Sequence, residues 1–276
     1  MDTRFWGPPA WKLLHSIAAG YDASPVMRKN MELFLEVLPY VLPCKFCRAS
    51  LTEHYARLPF QDALASRTDL ERWMYKIHNL VNKNLEAQGQ RILTPPTFRD
   101  TQEVYRQMIK LDMFPSWDFL FAVAFIYPPQ TKETPMPDAP IICPVGTADC
   151  DRNRWNKLPT GKRLQRWMEF WKVLPGILPE QWRTAWISAW KEAHPSFTSR
   201  KAAIASIWRL RCAYESNKED PYKNVCDRLT FHASGCGQSG PQTRTCRALR
   251  SRASTLACKG STCRRLIARN QTRKQR

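Results

Sequence analysis

Apolar residues recur at spacings of three and four along almost the whole chain, which is the period of amphipathic α-helices. Alternating runs of Val, Ile and Thr, which are typical of β-strands, are absent from the sequence. The pattern predicts five helices in roughly the first 110 residues. They are a helix opened by Pro8 and Pro9, a second over about 26–42, a third that starts at Pro43, a fourth from about Thr68, and a fifth in TFRDTQEVYRQMIKL.

Two short motifs occur twice and in the same order. WKLLHSIAAGY at 11–21 matches WDFLFAVAFIY at 117–127, and VLPYVLPC at 37–44 matches VLPGILPE at 173–180. Each match is short, but two matches in order are much less easily produced by chance. We therefore interpret the second half as a diverged copy of the first helical bundle.

The second copy has lost the reactive residues of the first. His15 aligns with Phe121, Cys44 with Glu180 and Cys47 with Arg183. We expect such a copy to be a structural or interaction module that binds no cofactor. The predicted fold is all-α, with a helical catalytic domain over 1–112, a second helical domain over 113–220 and a basic, cysteine-containing tail over 221–276.

Positive charge is concentrated toward the carboxyl end. The net charge is +19, and from Arg200 onward there are 18 Lys and Arg against 4 Asp and Glu. A basic tail indicates a polyanionic partner, and a solubilising or disordered end is an equally good interpretation. We see no apolar run that spans a bilayer and no signal peptide, so we expect a cytosolic protein without membrane contact.

Ten cysteines are unusual for a cytosolic protein unless they bind metal or do redox chemistry. Cys44 and Cys47, in VLPCKFCRASL, lie three residues apart at the start of a predicted helix. A helix amino terminus lowers the pKa of a thiol, because it offers unpaired N–H groups and a positive dipole end. Structural zinc needs four ligands in compact spacing, which His54 and His78 do not supply. We predict a redox pair and no metal site.

Polar side chains on two apolar helix faces form a second candidate site. His15 shares a face with Trp11, while His78 and Asn82 share a face of the fourth helix about one turn beyond Trp73. A histidine on an apolar face is usually a core residue with satisfied hydrogen bonds. Burying this many polar groups is costly unless a flat polar ligand, such as a nucleotide cofactor, lies between the helices.

The motifs WGPPAWKLLHSIAAGY, LPCKFC and WMYKIHNLVNKNL, in this order, resemble the Erv/ALR family of FAD-linked sulfhydryl oxidases. The family pattern is Trp-x-x-x-His, then Pro-Cys-x-x-Cys, then His-Asn-x-Val-Asn. The resemblance implies a bundle of four or five helices that holds FAD, usually as a homodimer. It also implies an enzyme that oxidises thiols of protein substrates and passes the electrons through FAD to O2, giving hydrogen peroxide.

The resemblance implies roles for individual residues. Cys44 and Cys47 are the expected redox disulfide, with Cys47 facing the flavin and Cys44 attacked by the substrate thiolate to form a mixed disulfide. The residues expected to bind FAD are Trp6, Gly7, Trp11, His15 and Tyr21 from the first helix and Trp73, His78, Asn79, Val81, Asn82 and Lys83 from the fourth.

A second cysteine pair, which cellular members carry shortly after the redox pair, is missing here, because no cysteine lies between Cys47 and Cys143. In this the chain resembles the compact enzymes of large cytoplasmic DNA viruses. That resemblance implies a location in the host-cell cytoplasm, at sites of virus assembly, or in the virion. A non-enzymatic nucleic-acid-binding or virion structural protein is the alternative function, and it rests on the basic tail.

The other cysteines leave two interpretations open. Many family members relay electrons through a shuttle pair, and the candidates here are Cys143 with Cys150 and Cys258 with Cys263; either pair is equally well a structural disulfide. Structural disulfides are favoured for Cys212, Cys226, Cys236 and Cys246.

Overall fold

A computed structural model describes residues 1–90, 93–111, 113–128, 160–216 and 220–234. Within these residues the chain forms ten α-helices and one 3-10 turn, and no β-strand occurs, so the all-α prediction is confirmed. The helices are α1 (Thr3–Ala19), α2 (Pro25–Val41), α3 (Lys45–Arg57), α4 (Arg67–Ala87), α5 (Phe98–Met108), α6 (Trp117–Phe125), α7 (Thr160–Ile177), α8 (Glu180–Ala193), α9 (Arg200–Tyr214) and α10 (Tyr222–Ala233). The 3-10 turn, Asp62–Ala65, precedes α4. None of the described helices is both long enough and apolar enough to cross a membrane.

Several helices begin with a residue whose short side chain caps the first turn. Ser24, Ser66 and Thr97 each accept a hydrogen bond from the backbone N–H three residues later, at the starts of α2, α4 and α5. Cys44 does the same for α3, so Pro43 lies one residue before the cap rather than at the first helical position. These caps satisfy N–H groups that have no partner within the helix.

Residues Ala10–Phe114 and Pro128–Arg183 form one of two compact units. In this unit α7 packs along α2, α3 packs against α2 and α4, and α4 also contacts the 3-10 turn and α5. The apolar faces of α1, α2 and α7 supply much of the core. Its fully buried members include Leu13, Ile17, Met31, Phe34, Leu35, Phe170 and Leu174.

Residues Met1–Pro9, Pro115–Tyr127 and Thr184–Arg276 form the other unit. Here α6 packs against α9 and α10, and every residue of α6 from Phe119 to Ala124 is fully buried. A helix that is apolar on all sides is expected to be surrounded by other elements. Arg211 of α9 forms ion pairs with Glu215 and Asp220, both at 3.0 Å.

The two units interleave along the sequence, whereas the predicted domains are consecutive. The predicted domain boundaries at 112 and 220 stay a prediction. Cys212 is disulfide-bonded, but Cys226 of α10 is a free thiol, contrary to the expected structural disulfide. The other cysteines beyond the redox pair lie outside the described residues: Cys143, Cys150, Cys236, Cys246, Cys258 and Cys263.

Candidate active site

The cysteine pair lies at the amino-terminal end of α3. Cys44 is the capping residue, and the backbone N–H of Cys47 donates to Cys44 Sγ at 3.4 Å. Both cysteines are half-buried, and neither forms a disulfide in this structure. At this helix end the backbone dipoles favour negative charge on Cys44.

The two thiols differ in their affinity for a proton. Hydrogen bonds from Cys47 lower the pKa of Cys44 to about 6, although burial acts in the opposite direction. The same hydrogen bond, together with burial, raises the pKa of Cys47 far above its usual value. The first deprotonation therefore belongs to the pair as a whole, and the hydrogen bonds favour the negative charge on Cys44. A thiol of low pKa is also a good leaving group in disulfide exchange.

Arg48 places positive charge near the pair. Arg48 follows Cys47, is only 7% exposed and donates from Nε to the carbonyl oxygen of Leu42 at 2.7 Å. Burial, assisted by the charge of Arg163, lowers the pKa of Arg48 to about 10, so the guanidinium stays protonated at neutral pH. A buried cation beside two thiols favours the thiolate form. Arg163 lies on α7, so this helix places a second positive charge near Arg48.

Four rings from three helices form an aromatic cluster. Trp11 of α1 stacks on His78 of α4, with ring centroids 4.0 Å apart and planes 11° apart. His15, one turn after Trp11, brings Nε2 to 3.0 Å from Nδ1 of His78. The other neighbour of His15 is Tyr105 of α5, stacked at 4.6 Å and 10°. The fold thus joins His15 and His78, which are far apart in sequence.

Both imidazoles of this cluster are neutral at physiological pH. Burial, and to a lesser extent the neighbouring His78, lowers the pKa of His15 to about 3. Burial lowers the pKa of His78 to about 4. Because their nitrogens are in hydrogen-bond contact, one ring donates and the other accepts. The cluster is therefore a flat and uncharged surface with polar ring edges, which suits an aromatic heterocycle.

A further polar group lies between α3 and α4. Asn84 Nδ2 donates to Ser50 Oγ at 3.0 Å and lies 3.3 Å from Nε2 of His54. Because an amide nitrogen only donates, Nε2 accepts, and the proton of the neutral His54 ring is on Nδ1. That Nδ1 is buried without a partner among the described residues, and so is the hydroxyl of Tyr55. A bound polar ligand would satisfy such groups.

Two of the predicted FAD-binding residues already have backbone partners. Tyr21 is fully buried, and its hydroxyl donates to the carbonyl oxygen of Leu64 at 2.8 Å. Trp73 is also buried and donates from Nε1 to the carbonyl oxygen of Leu58 at 2.9 Å. Through these bonds both side chains hold the connection between α3 and α4. Any contact with a cofactor would use their rings.

The other predicted cofactor residues lie in two places. Asn79, Val81 and Asn82 are half-buried along the carboxyl-terminal half of α4, and Lys83 is exposed. Trp6 and Gly7 fall within the short segment Met1–Pro9 of the other unit, where Trp6 packs on Phe119 with ring centroids 6.1 Å apart. The structure thus gathers Trp11, His15 and His78 in one cluster, and it places Trp6 and Gly7 in the other compact unit.

The residues of this unit fit the flavin nucleotide that the resemblance implies. Neutral stacked rings suit the isoalloxazine and adenine rings, which are aromatic and carry polar edges. The unsatisfied Nδ1–H of His54 and hydroxyl of Tyr55 supply buried donors. The amides of Asn79 and Asn82 and the exposed Lys83 supply donors and charge suited to ribose and phosphate. Among the described residues, no group of three or more His, Cys, Asp and Glu side chains could hold a metal ion.

Sequence reasoning missed Tyr105, Ser50 and Asn84. Their significance arises from contacts between helices, which the spacing along one helix does not reveal. A partial signal exists for Tyr105, since it is one of the few apolar or aromatic residues on a mostly polar fifth helix. Ser50 and Asn84 carry no such signal, because surface helices commonly contain both residue types.

Comparison with known proteins gives the same assignment for the amino-terminal part. The Erv1/Alr family model matches residues 8–102. A probable FAD-linked sulfhydryl oxidase of Acanthamoeba polyphaga mimivirus is 34% identical over 99 residues, which are 35% of this chain and 67% of the viral protein. The mitochondrial FAD-linked sulfhydryl oxidase ERV1 of Saccharomyces cerevisiae is 36% identical over 86 residues, 30% of this chain and 44% of the yeast protein.

A putative FAD-linked sulfhydryl oxidase of Invertebrate iridescent virus 3 is 32% identical over 87 residues, which cover 31% of this chain and 59% of the viral protein. The chain thus spans two thirds of the mimivirus relative and about half of the other two. No solved structure matches the chain. All three alignments cover about a third of the chain.

Proposed function

The chain belongs to the Erv1/Alr family of FAD-linked sulfhydryl oxidases, and we propose that helices α1 to α5 oxidise dithiols of protein substrates with O2 as the final acceptor. The observation that carries the proposal is the state of Cys44, a helix-capping thiol whose pKa is lowered to about 6. A structural cysteine has no need of a stabilised thiolate. The comparisons do not favour the alternative of a non-enzymatic nucleic-acid-binding protein.

The chain's own residues account for the exchange steps. A substrate thiolate attacks Cys44 Sγ of the oxidised pair, and the Cys44–Cys47 bond breaks with the electron pair on Cys47, which takes up a proton. The second substrate thiolate attacks the mixed disulfide at the substrate sulfur and expels Cys44 as a thiolate. The low pKa of Cys44 makes it the better leaving group. The substrate leaves as a disulfide, and the pair is left as two reduced sulfurs.

FAD, when bound, supplies a two-electron acceptor that O2 reoxidises with formation of hydrogen peroxide. We propose that Trp11, His15, His78, Tyr105 and His54 hold it, because they supply stacked neutral rings and an unsatisfied buried donor. Roles for Trp6, Gly7, Tyr21, Trp73, Asn79, Val81, Asn82 and Lys83 remain proposals that rest on the family pattern.

The wider setting is also proposed rather than established. A viral origin with packaging in the virion is an expectation that the viral relatives support. Contact of the basic tail with a polyanion is an expectation that rests on the 18 Lys and Arg against 4 Asp and Glu from Arg200 onward. We further propose that the second copy binds no flavin. Its support is that Phe121, at the position of His15, is fully buried and offers no polar ring edge.

An oxygen-electrode assay tests the proposed function. Purified protein should absorb at about 450 nm and consume O2 with a dithiol or a reduced protein substrate. Cys44→Ser and Cys47→Ser should each abolish the uptake while the flavin stays bound. Cys226→Ser is the matched control, because Cys226 is the third free thiol among the described cysteines and lies on α10. Persisting uptake in both active-site variants would show that another pair is responsible.

A further inference from the structure

Helices α2 and α7 pack against each other in antiparallel directions. Asn30, near the start of α2, lies beside Gly176 near the end of α7. In the middle, the rings of Phe34 and Phe170 meet with centroids 5.8 Å apart. Toward the other end, the guanidinium of Arg166 lies over the ring of Tyr40 at 5.6 Å from its centroid.

The two helices are also the two copies of one sequence motif. Val37 of VLPYVLPC corresponds to Val173 of VLPGILPE, so equivalent positions differ by 136 in residue number. With the same shift, each buried residue of α7 corresponds to a buried residue of α2. The equivalent pairs are Met31 and Trp167, Phe34 and Phe170, Leu35 and Trp171, Val37 and Val173, Leu38 and Leu174, and Val41 and Ile177.

The contacts between α2 and α7 are those expected from a local two-fold axis. In an interface between identical subunits, a contact of residue i with residue j recurs as a contact of j with i, and a residue on the axis meets its own copy. Phe34 meets Phe170, which is its own equivalent. Asn30 meets Gly176, the equivalent of Tyr40. Tyr40 in turn meets Arg166, the equivalent of Asn30.

We infer that α2 is a self-association surface and that its partner is α7 of the same chain. The pair reproduces within one polypeptide the interface that two identical subunits would form. The α2 face is therefore occupied, and a second copy of the chain cannot bind there. This inference stands apart from the proposed oxidase function, and it changes the expected homodimer: any dimer must use a different surface.

Side-chain sizes across the interface explain why α2 pairs with α7 rather than with a second α2. A Cβ atom placed on Gly176 would lie 2.6 Å from Asn30 Nδ2, so this position tolerates no side chain unless Asn30 moves. In an α2–α2 pair the same position would be Tyr40. The divergence of the copy at Gly176 thus favours the internal pairing over a pairing of two α2 helices, in which the Asn30 side chain would have to move away from Tyr40.

Engineered disulfides test this inference in the full-length chain. The Gly176 Cβ position lies 3.9 Å from Asn30 Cβ, within the range of about 3.5–4.5 Å found in disulfides. In Asn30→Cys/Gly176→Cys we expect a disulfide between 30 and 176 within one chain of 32.1 kDa. Non-reducing electrophoresis gives the mass, and mass spectrometry of non-reduced peptides identifies the link among those of the native cysteines.

Asn30→Cys/Tyr40→Cys is the matched control. These positions lie about 15 Å apart along one helix and cannot pair within a chain, but they would pair between two chains joined through α2. We expect no 30–40 link and no product of double mass from it. The inference is overturned by such a product, by an interchain 30–176 link, or by a folded Asn30→Cys/Gly176→Cys variant in which the link does not form.

A measurement without substitutions keeps the inference testable if the variants fail to fold. Equal amounts of unlabelled and ¹⁵N-labelled wild-type chains are mixed and treated with a lysine-reactive cross-linker, which can join Lys29 of α2 to Lys172 of α7. Each link between these helices should join two unlabelled peptides or two ¹⁵N-labelled peptides, because both come from one chain. Links of mixed composition, or any link between two α2 helices, would contradict the inference.

Discussion

Two regions of the chain begin with the same motif and use their leading tryptophan in different ways. Trp11 is half-buried and stacks on the neutral imidazole of His78. Trp117, its equivalent, is 5% exposed, stacks on Trp186 with planes 10° apart and donates to the carboxylate of Glu215 at 2.8 Å. One tryptophan is placed beside polar ring edges, and the other is enclosed by the protein's own indoles and an ion-pair network.

The comparison shows how a helix face with polar rings differs from the same face filled by apolar side chains. The copy retains the helix that carries Trp117, but the position of His15 becomes the apolar Phe121, and large rings fill the surroundings. A half-open face with neutral imidazoles is costly to keep unless a ligand covers it. A face filled by Trp186 and Phe121 needs no ligand, since burying such side chains is favourable by itself.

The largest expected effect comes from exchanging the residues at the two cysteine positions between the two copies. Cys44→Glu/Cys47→Arg gives the first copy the residues of the second and should reduce dithiol-dependent O2 uptake by at least about a hundredfold, because no exchangeable sulfur remains. The reverse change, Glu180→Cys/Arg183→Cys in that variant, should not restore uptake. Restored uptake would show that the second copy has kept a working site.

The histidine position gives the next effect. His15→Phe introduces the residue of the second copy and removes the contact with His78, so the flavin content of the purified protein should fall well below one per chain. The ratio of absorbance at about 450 nm to protein absorbance measures it. Phe121→His is the reciprocal change, and it should not raise the flavin content above that of the wild type.

Truncation in the filled region should affect stability and not the cofactor. Trp186→Ala leaves a cavity beside Trp117 and should lower the free energy of unfolding by about 3–5 kcal/mol. Urea denaturation measures the loss, and the folded fraction should keep its flavin. Loss of flavin without loss of stability would mean that this region holds the cofactor.

The smallest effect concerns pH. The pKa of His15 is lowered from 6.5 to about 3, so the unfolded chain binds a proton at pH values where the folded chain does not. Stability is therefore unaffected above pH 6.5 and falls as the pH drops below it. Between pH 7 and pH 5 His15 alone should cost about 2 kcal/mol. Urea midpoints at the two pH values test this, with the exposed His194→Gln as a control that should retain the full pH dependence.

The local features of the fold could be predicted from sequence because they depend on neighbours along the chain. The fourth helix and the cysteine pair at the start of the third follow from periodicity, capping and a proline. Contacts between distant helices follow no such rule. The repeat identified α2 and α7 as related, but nothing in one chain's pattern says that they touch. The unsatisfied Nδ1 of His54 can be identified only from the structure, because the contact of Asn84 with Nε2 determines which ring nitrogen carries the proton.

Because α2 and α7 belong to one chain, their contact does not depend on the protein concentration. Two separate subunits dissociate when their concentration falls below the dissociation constant, whereas two surfaces on one chain meet at an effective concentration set by their tether. The interface at Phe34 and Phe170 is therefore as complete in one isolated molecule as in a concentrated solution. Arg163, which α7 brings near Arg48, therefore keeps its place at every protein concentration.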